Sequence, residues 1–594
     1  MLSLLAMRYR RILFKLHKWR IRNITDRAFL MIVSAFVGIF AGLGAVIIKN
    51  LVRIIESLLE NHLENNYLYL LMPITGLLLV AIFVKYILRR KVDHGIPTVL
   101  YSISKRNGRI KPHNMFSSII ASSLTVGFGG SVGLEGPTLA TGAAIGSNFA
   151  RLLNLNYRQV TLLLGCASAG AMAAIFKAPI AAIVFALEVI MINLTMTSVI
   201  PLLISSVSGV ITSYLFLGRD TLYPVEIIDS FDLSDIFFYI GLGIITGLAS
   251  LYFIRMYIFI AGLFERISEW YTRMLIGGSV LGLLIFLFPS LYGEGYDVIN
   301  SALQGNTDYL NDNLLFSDIQ SSFFIMMAFM LIVILFKVVA TSVTFGGGGI
   351  GGVFAPSLFV GSNVGLLFAM VMNYFGANLN EKSFAMVAMG GLISGVIHAP
   401  LTGIFLIAEI TSGYELLMPL MVTATISYAT IRLFQQTSVY TYQLAKRGEL
   451  FTHDQDKTVL SLMEVSDLIE MNFHTVKSDA TLGDLVEVIS KSQRNIFPVL
   501  DEQKHLLGVV WVNDIRHIVF KSELYDKVYV RDLMFMPRPS INPKESMEDV
   551  AQKFQNSNHY NLPVINDDGT YIGFVSRANI FSKYRQLIKE FSED

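Results

Sequence analysis

Two short stretches carry residue types able to hold an anion inside an apolar chain: Gly133-Leu134-Glu135-Gly136-Pro137 and, much later, Gly352-Val353-Phe354-Ala355-Pro356. Glycines and a proline ahead of a long apolar run, from Thr138 in one case and Ser357 in the other, are how a chain turns tightly and then begins a helix. The first turn of a helix leaves backbone N–H groups without partners, and the aligned peptide dipoles place about half a positive charge there. Such ends can bind an anion without supplying a cation. Glu135 is the one carboxylate in the first stretch, and it sits where that anion would bind.

The elements that must position these residues are membrane-embedded. Of 594 residues, 53% are hydrophobic and 15% charged, too apolar for a soluble globular chain, so a polytopic membrane protein in a lipid bilayer is expected. A net charge of +1 gives no reason to expect nucleic acid. The single Cys166 excludes an intramolecular disulfide and a thiolate metal cluster. No metal-spaced group stands out among the ten histidines and no nucleophile–base pairing is evident, so neither a metal site nor a membrane enzyme is expected. The segment 1–28 is basic and precedes an apolar run too long for a signal-peptide core, which predicts a cytoplasmic N-terminus.

Apolar segments recur from about Ala28 to Phe434, and several, such as Ile180–Met191 and Leu401–Ile410, fall short of the about 20 residues needed to span a bilayer. Short apolar helices interrupted by Gly and Pro indicate discontinuous helices meeting at mid-membrane around a cavity. An internal repeat supports this. Gly133-x-x-x-Pro137-Thr138-Leu139-x-x-Gly142-x-x-Ile145-Gly146 matches Gly352-x-x-x-Pro356-Ser357-Leu358-x-x-Gly361-x-x-Val364-Gly365. Ala178-Pro179-Ile180-x-x-Ile183-x-x-x-x-Glu188 likewise matches Ala399-Pro400-Leu401-x-x-Ile404-x-x-x-x-Glu409, at nearly the same spacing. The chain therefore reads as two homologous halves of a transport fold.

Beyond Tyr440 the character changes to a soluble α/β region that is itself repeated. Met471-x-x-x-x-Val476, Phe497-Pro498-Val499-Leu500 and Leu507-Gly508-Val509-Val510 recur as Met536-x-x-x-x-Ile541, Leu562-Pro563-Val564-Ile565 and Ile572-Gly573-Phe574-Val575. The expected organisation is a basic segment 1–28 and a membrane domain 29–447 with repeats at about 29–218 and 234–447. A linker 448–464 leads to a pair of modules in 465–594, at about 465–525 and 528–591.

Together these residues resemble the CLC chloride channel and transporter family, prokaryotic type, with a C-terminal pair of CBS modules. Gly133-Leu134-Glu135-Gly136-Pro137 is similar to the family's G-[KR]-E-G-P, Gly351 to Pro356 to its G-x-F-x-P, and Asp93-His94-Gly95-Ile96-Pro97 to its G-S-G-I-P; Tyr440 is similar to its pore tyrosine. The resemblance implies a mainly α fold of two inverted repeats plus the CBS pair, a homodimer with one pore per subunit in the cell membrane, and both termini cytoplasmic. It implies interface segments at about Pro201 to Gly218 and Tyr414 to Phe434. It also implies chloride-binding positions at His94, Gly133, Leu134, Gly136, Val353, Phe354 and Tyr440, with Glu135 as gate, competing with chloride when ionised and swinging away when protonated. The physics agrees: a bare ion leaving water costs on the order of tens of kcal/mol, so several weak donors must replace its hydration shell.

Three departures from the family pattern stand out. His94 replaces a serine and could make conduction sensitive to pH. Leu134 replaces a Lys or Arg and removes positive charge from the outer mouth. Val189 replaces the inner glutamate of the proton-coupled exchangers, and valine cannot carry a proton. That substitution favours a passive, gated chloride channel with voltage and pH as candidate controls; the alternative is a chloride/proton exchanger. A CBS-regulated cation transporter would need acidic clusters along the path. The intact Glu135-Gly136-Pro137 favours chloride over fluoride. In the CBS pair, Asp514, Ser576 and Asn579 occupy positions that in nucleotide-binding relatives hold adenine nucleotides, whereas Trp511 replaces the first module's hydroxyl. No other cofactor is expected.

Overall fold

The long apolar run after the basic segment forms α1 (Asp26–Glu60), which buries Val33, Val37, Ala41, Ile48 and Val52 along one stripe and leaves Phe36, Phe40 and Ile47 exposed on the other. An apolar exposed face with an apolar buried face is what a bilayer requires. In the computed structural model the described residues are 22–60, 68–90, 92, 95–106, 108–190, 196–219, 223, 232–307, 309, 322–442, 460, 463–536, 539–557 and 559–592. Among them, eight helices are long and apolar enough to cross a membrane. The protein is an integral membrane protein.

After α1 come α2 (Leu68–Ile82), α3 (Gly95–Lys105), α4 (Asn114–Gly127), α5 (Glu135–Leu152), α6 (Tyr157–Phe176), α7 (Pro179–Glu188) and α8 (Met196–Leu217). The second half contains α9 (Ile236–Glu265), α10 (Trp270–Leu287), α11 (Tyr296–Leu303), α12 (Phe323–Gly346), α13 (Phe354–Tyr374), α14 (Glu381–Ile397), α15 (Pro400–Ile410) and α16 (Leu417–Arg432). The repeated sequence motif is a packing motif. Gly142 and Gly146 let α5 lie on α6, where a Cβ on Gly142 would come 2.5 Å from the Ala167 carbonyl oxygen. Their counterparts Gly361 and Gly365 do the same for α13 on α14, where a Cβ on Gly361 would come 2.7 Å from the Met389 Cα.

The halves hold each other by exchanged hydrogen bonds. The Ser131 N–H donates to Thr344 Oγ1 at 3.2 Å, and the Ile350 N–H donates to Thr125 Oγ1 at 3.0 Å. Glu409 accepts from the Ile180 and Ala181 amides at 3.0 and 2.8 Å, and Glu188 from the Leu401 and Thr402 amides at 3.2 and 2.8 Å. Ile180 and Leu401 are the same position of the two repeats, as are Ala181 and Thr402. When i bonds j′ and j bonds i′, a two-fold axis relates the partners, the relation that two inverted repeats of a transport fold require.

The chain divides into two compact units, Met1–Leu450 and Phe451–Asp594. In the second, β1 (Val476–Lys477), α17 (Leu482–Lys491), β2 (Ile496–Leu500) and β3 (Leu506–Trp511) form one module. Next come α18 (Met547–Ser557), β4 (Asn561–Ile565), β5 (Tyr571–Ser576) and α19 (Arg577–Ser592). The hairpins share a register, Pro498 opposite Val509 and Pro563 opposite Phe574, with a shift after Val499 and after Val564. These modules also exchange partners: Glu470, ahead of the first, pairs with Phe574 of the second, and Phe535, ahead of the second, pairs with Val509 of the first.

Candidate anion site

The site lies where α5 and α13 begin. Leu134 and Val353 are the N-caps, and neither offers a side-chain cap. Both helices start at residues 135 and 354, three positions before the apolar runs suggest, so each proline occupies the first turn, where it needs no intrahelical partner. Gly133 and Gly352 exchange both backbone hydrogen bonds, at 2.8 and 2.7 Å, which joins the loops ahead of the two helices. The two positive helix ends thereby converge.

Glu135 fills the point of convergence. Its side chain is 3% exposed, and Oε1 accepts a 2.9 Å hydrogen bond from the hydroxyl of Tyr296, the first residue of α11. Oε2 folds back against Gly133, where a Cβ would collide with it. It has no hydrogen bond of good geometry among the described residues, while the amides of Glu135 and Ala355 lie beside the carboxylate. A tethered carboxylate thus occupies ground prepared for an anion by backbone of both halves.

Residues 76–432 match the family model described as voltage gated chloride channel. The chain belongs to this family, the CLC family. Residues 465–521 and 530–585 each match the CBS domain. The chain is 30% identical over 387 residues to a putative ClcB-like chloride channel protein of Ralstonia nicotianae, covering 64% of this chain and 86% of the relative. It is 28% identical over 420 residues to the H+/Cl− exchange transporter ClcA of Vibrio cholerae, covering 66% and 84%. Among solved structures, the fold resembles a slow cyanobacterial Cl−/H+ antiporter at TM-score 0.62 and 21% identity, covering 72% and 99%. A eukaryotic CLC transporter matches at TM-score 0.59 and 17% identity, covering 93% and 97%.

Within this CLC frame the predicted ligands play unequal parts. The Gly133 amide is committed to Gly352, so Gly133 contributes space, not a donor. The Leu134 amide donates to Glu294 Oε1 at 3.0 Å. Gly136 packs on Gly352 and against Gly95, whose φ of +43° brings the start of α3 to the site. His94 lies outside the described residues. Val353 is buried at the cap, and the Phe354 ring packs 5.8 and 5.6 Å from those of Phe176 and Phe185. Tyr440 is buried, its hydroxyl has no partner among the described residues, and it is close enough to Glu135 to interact electrostatically. Val189, one turn after Phe185, donates its amide to the Phe185 carbonyl at 2.9 Å and is buried.

The sequence reading missed Tyr296, Glu294 and two intramembrane lysines. Lys49 donates to the Ile175 carbonyl at 2.8 Å. Lys337, fully buried, donates to the Gly293 carbonyl at 3.1 Å beneath the loop that carries Glu294 and Tyr296. A lysine within an apolar run is itself a signal, since an intramembrane charge is a functional candidate by default.

In the CBS pair, the Ser576 hydroxyl donates to Glu470 Oε1 at 2.7 Å and accepts from the Asn579 amide at 3.1 Å. Asn579 Nδ2 reaches the Leu468 carbonyl at 3.3 Å. Asp514 is exposed on a single helical turn, and Trp511 Nε1 has no partner among the described residues.

Proposed function

We propose that this CLC protein exchanges chloride for protons across the cell membrane, with Glu135 as gate. The observation that carries the reading is the Glu135 carboxylate lodged between the starts of α5 and α13. An ionised carboxylate there excludes chloride by occupying its place. A proton removes the charge that holds it, so chloride can bind only after Glu135 has taken up a proton or moved aside. The gate itself then links the two ions. The amides of Gly136, Val353 and Phe354 and the Tyr440 hydroxyl are the donors we assign to chloride. The H+/Cl− exchange transporter matched over most of its length supports exchange.

A second reading, a passive chloride channel, is favoured by Val189. Buried Val189 stands where an inner proton acceptor would be expected. Under that reading protonation of Glu135 opens the path but no proton crosses. The ClcB-like relative is named a putative chloride channel. The readings separate on proton movement driven by a chloride gradient, which only an exchanger produces. We further assign the exposed apolar stripe Ile200, Leu203, Val207 and Ile211 of α8 to the face of a homodimer.

A further inference from the structure

The loop between Leu291 and α11 delivers two side chains to the start of α5. Tyr296 reaches Glu135, and Glu294 takes the Leu134 amide, the first free N–H of that helix. Gly293 and Gly295, both left-handed at φ +54° and +78°, make the turn that aims them. Lys337 secures the turn from below through the Gly293 carbonyl and, at 3.4 Å, the Leu291 carbonyl. The α5 N-terminus therefore faces two carboxylates, one of them with a buried oxygen that has no partner among the described residues.

We propose that Glu294 is a second gating carboxylate: ionised, it holds the Leu134 amide that an entering chloride would otherwise take, and protonated, it gives that amide up. This inference rests on Glu135 being the gate. Leu134 explains why a carboxylate is accommodated here. Where the family pattern has a cation, this chain has none, and an acidic side chain takes the positive helix end instead. The groups facing Glu294 are Glu135 on α5, Lys49 and Glu56 on α1, Lys337 on α12, Tyr296 on α11, and Tyr223. The lysines keep a carboxylate in place, and Glu135 opposes it. Each carboxylate must lose its charge before it releases its place at the helix end, so opening here takes two protons.

The test is chloride efflux from liposomes containing the full chain, followed from acid to alkaline pH for wild type, Glu294→Gln and Glu135→Gln. Wild type is expected to show a steep profile approaching two protons. Glu294→Gln should flatten it toward one proton and raise efflux at alkaline pH, by about tenfold one pH unit above the point where Glu294 loses its proton, because that proton is no longer required. Glu294→Asp, one methylene too short for the Leu134 amide, should raise efflux in the same direction by less, and carries the test if the glutamine variant does not fold. A Glu294→Gln profile superimposed on wild type, with Glu135→Gln flat, would overturn the proposal and leave the Glu135 gate standing. A Glu135→Gln profile unchanged from wild type would instead remove the gate reading on which the proposal depends.

Discussion

Gly133 and Gly352 bond to each other through both of their backbone groups, N–H to O at 2.8 and 2.7 Å. This two-residue bridge joins the halves of the membrane domain at the site where α5 and α13 begin. It leaves no room for a side chain: a Cβ on Gly352 would stand 2.8 Å from the Gly136 nitrogen and 3.3 Å from its Cα. Backbone on both sides cannot turn away. Gly352→Ala is therefore expected to destabilise the protein by about 1–3 kcal/mol through overpacking and to abolish most chloride flux. Thermal unfolding in detergent and chloride efflux check this; a variant with wild-type melting and flux would refute the close fit.

Glu135→Gln keeps the shape of the side chain and removes its charge. The account expects more anion flux at alkaline pH than wild type and a shallower pH profile, because glutamine cannot be ionised to reclaim the site and Glu294 alone is left to titrate. If the profile is unchanged from wild type, the sensor is neither gate as proposed and His94→Ser becomes the variant to measure.

Glu188 and Glu409 each serve helix-end amides of the other half, so their removal should be felt equally. Glu188→Ala strands the Leu401 and Thr402 amides, and Glu409→Ala strands those of Ile180 and Ala181. Each is expected to cost about 1–3 kcal/mol, the penalty for leaving backbone donors unsatisfied at a helix end in an apolar medium. Melting temperatures that fall for one variant and not the other would show that the pseudo-symmetric pairs are energetically unequal.

The reading of the sequence reached the two helix starts, the repeat and Glu135 because each leaves a local mark: glycines and a proline ahead of an apolar run. It did not reach α3, α4 or α11. In α4 the buried faces carry Ser117, Ser118, Ser122, Ser123 and Thr125, which look polar in a hydropathy pattern. Their hydroxyls can bond back to the helix, as Ser122 does to Ser118 O at 2.7 Å and Thr125 to Ala121 O at 2.9 Å, so the segment is at home in the interior. The bonds accepted by Thr344 from Ser131 and by Thr125 from Ile350 extend the repeat upstream of its recognisable motif, where this threonine is kept but the donors Ser131 and Ile350 differ. Glu294 and Tyr296 were out of reach for another reason: they meet Leu134 and Glu135 across 160 and 161 residues of sequence, and no spacing rule connects them.

For the CBS pair, a nucleotide seated at Ser576 and Asn579 would have to take the Ser576 hydroxyl from Glu470, which also forms a 2.7 Å ion pair with Arg494. Glu470→Ala should then give a larger ATP-induced rise in melting temperature than wild type. No rise in either at millimolar ATP would mean that these residues serve packing alone.

The central claim is that Glu135 links chloride to protons, and the most direct test is proton flux in liposomes carrying the purified protein, with a chloride gradient and no pH gradient imposed. The account predicts uphill proton movement driven by chloride, present in wild type and lost in Glu135→Gln while chloride still flows. Chloride flux with no accompanying proton movement in wild type would contradict it, and would mean that Val189 closes the proton route and Glu135 acts as the gate of a passive channel.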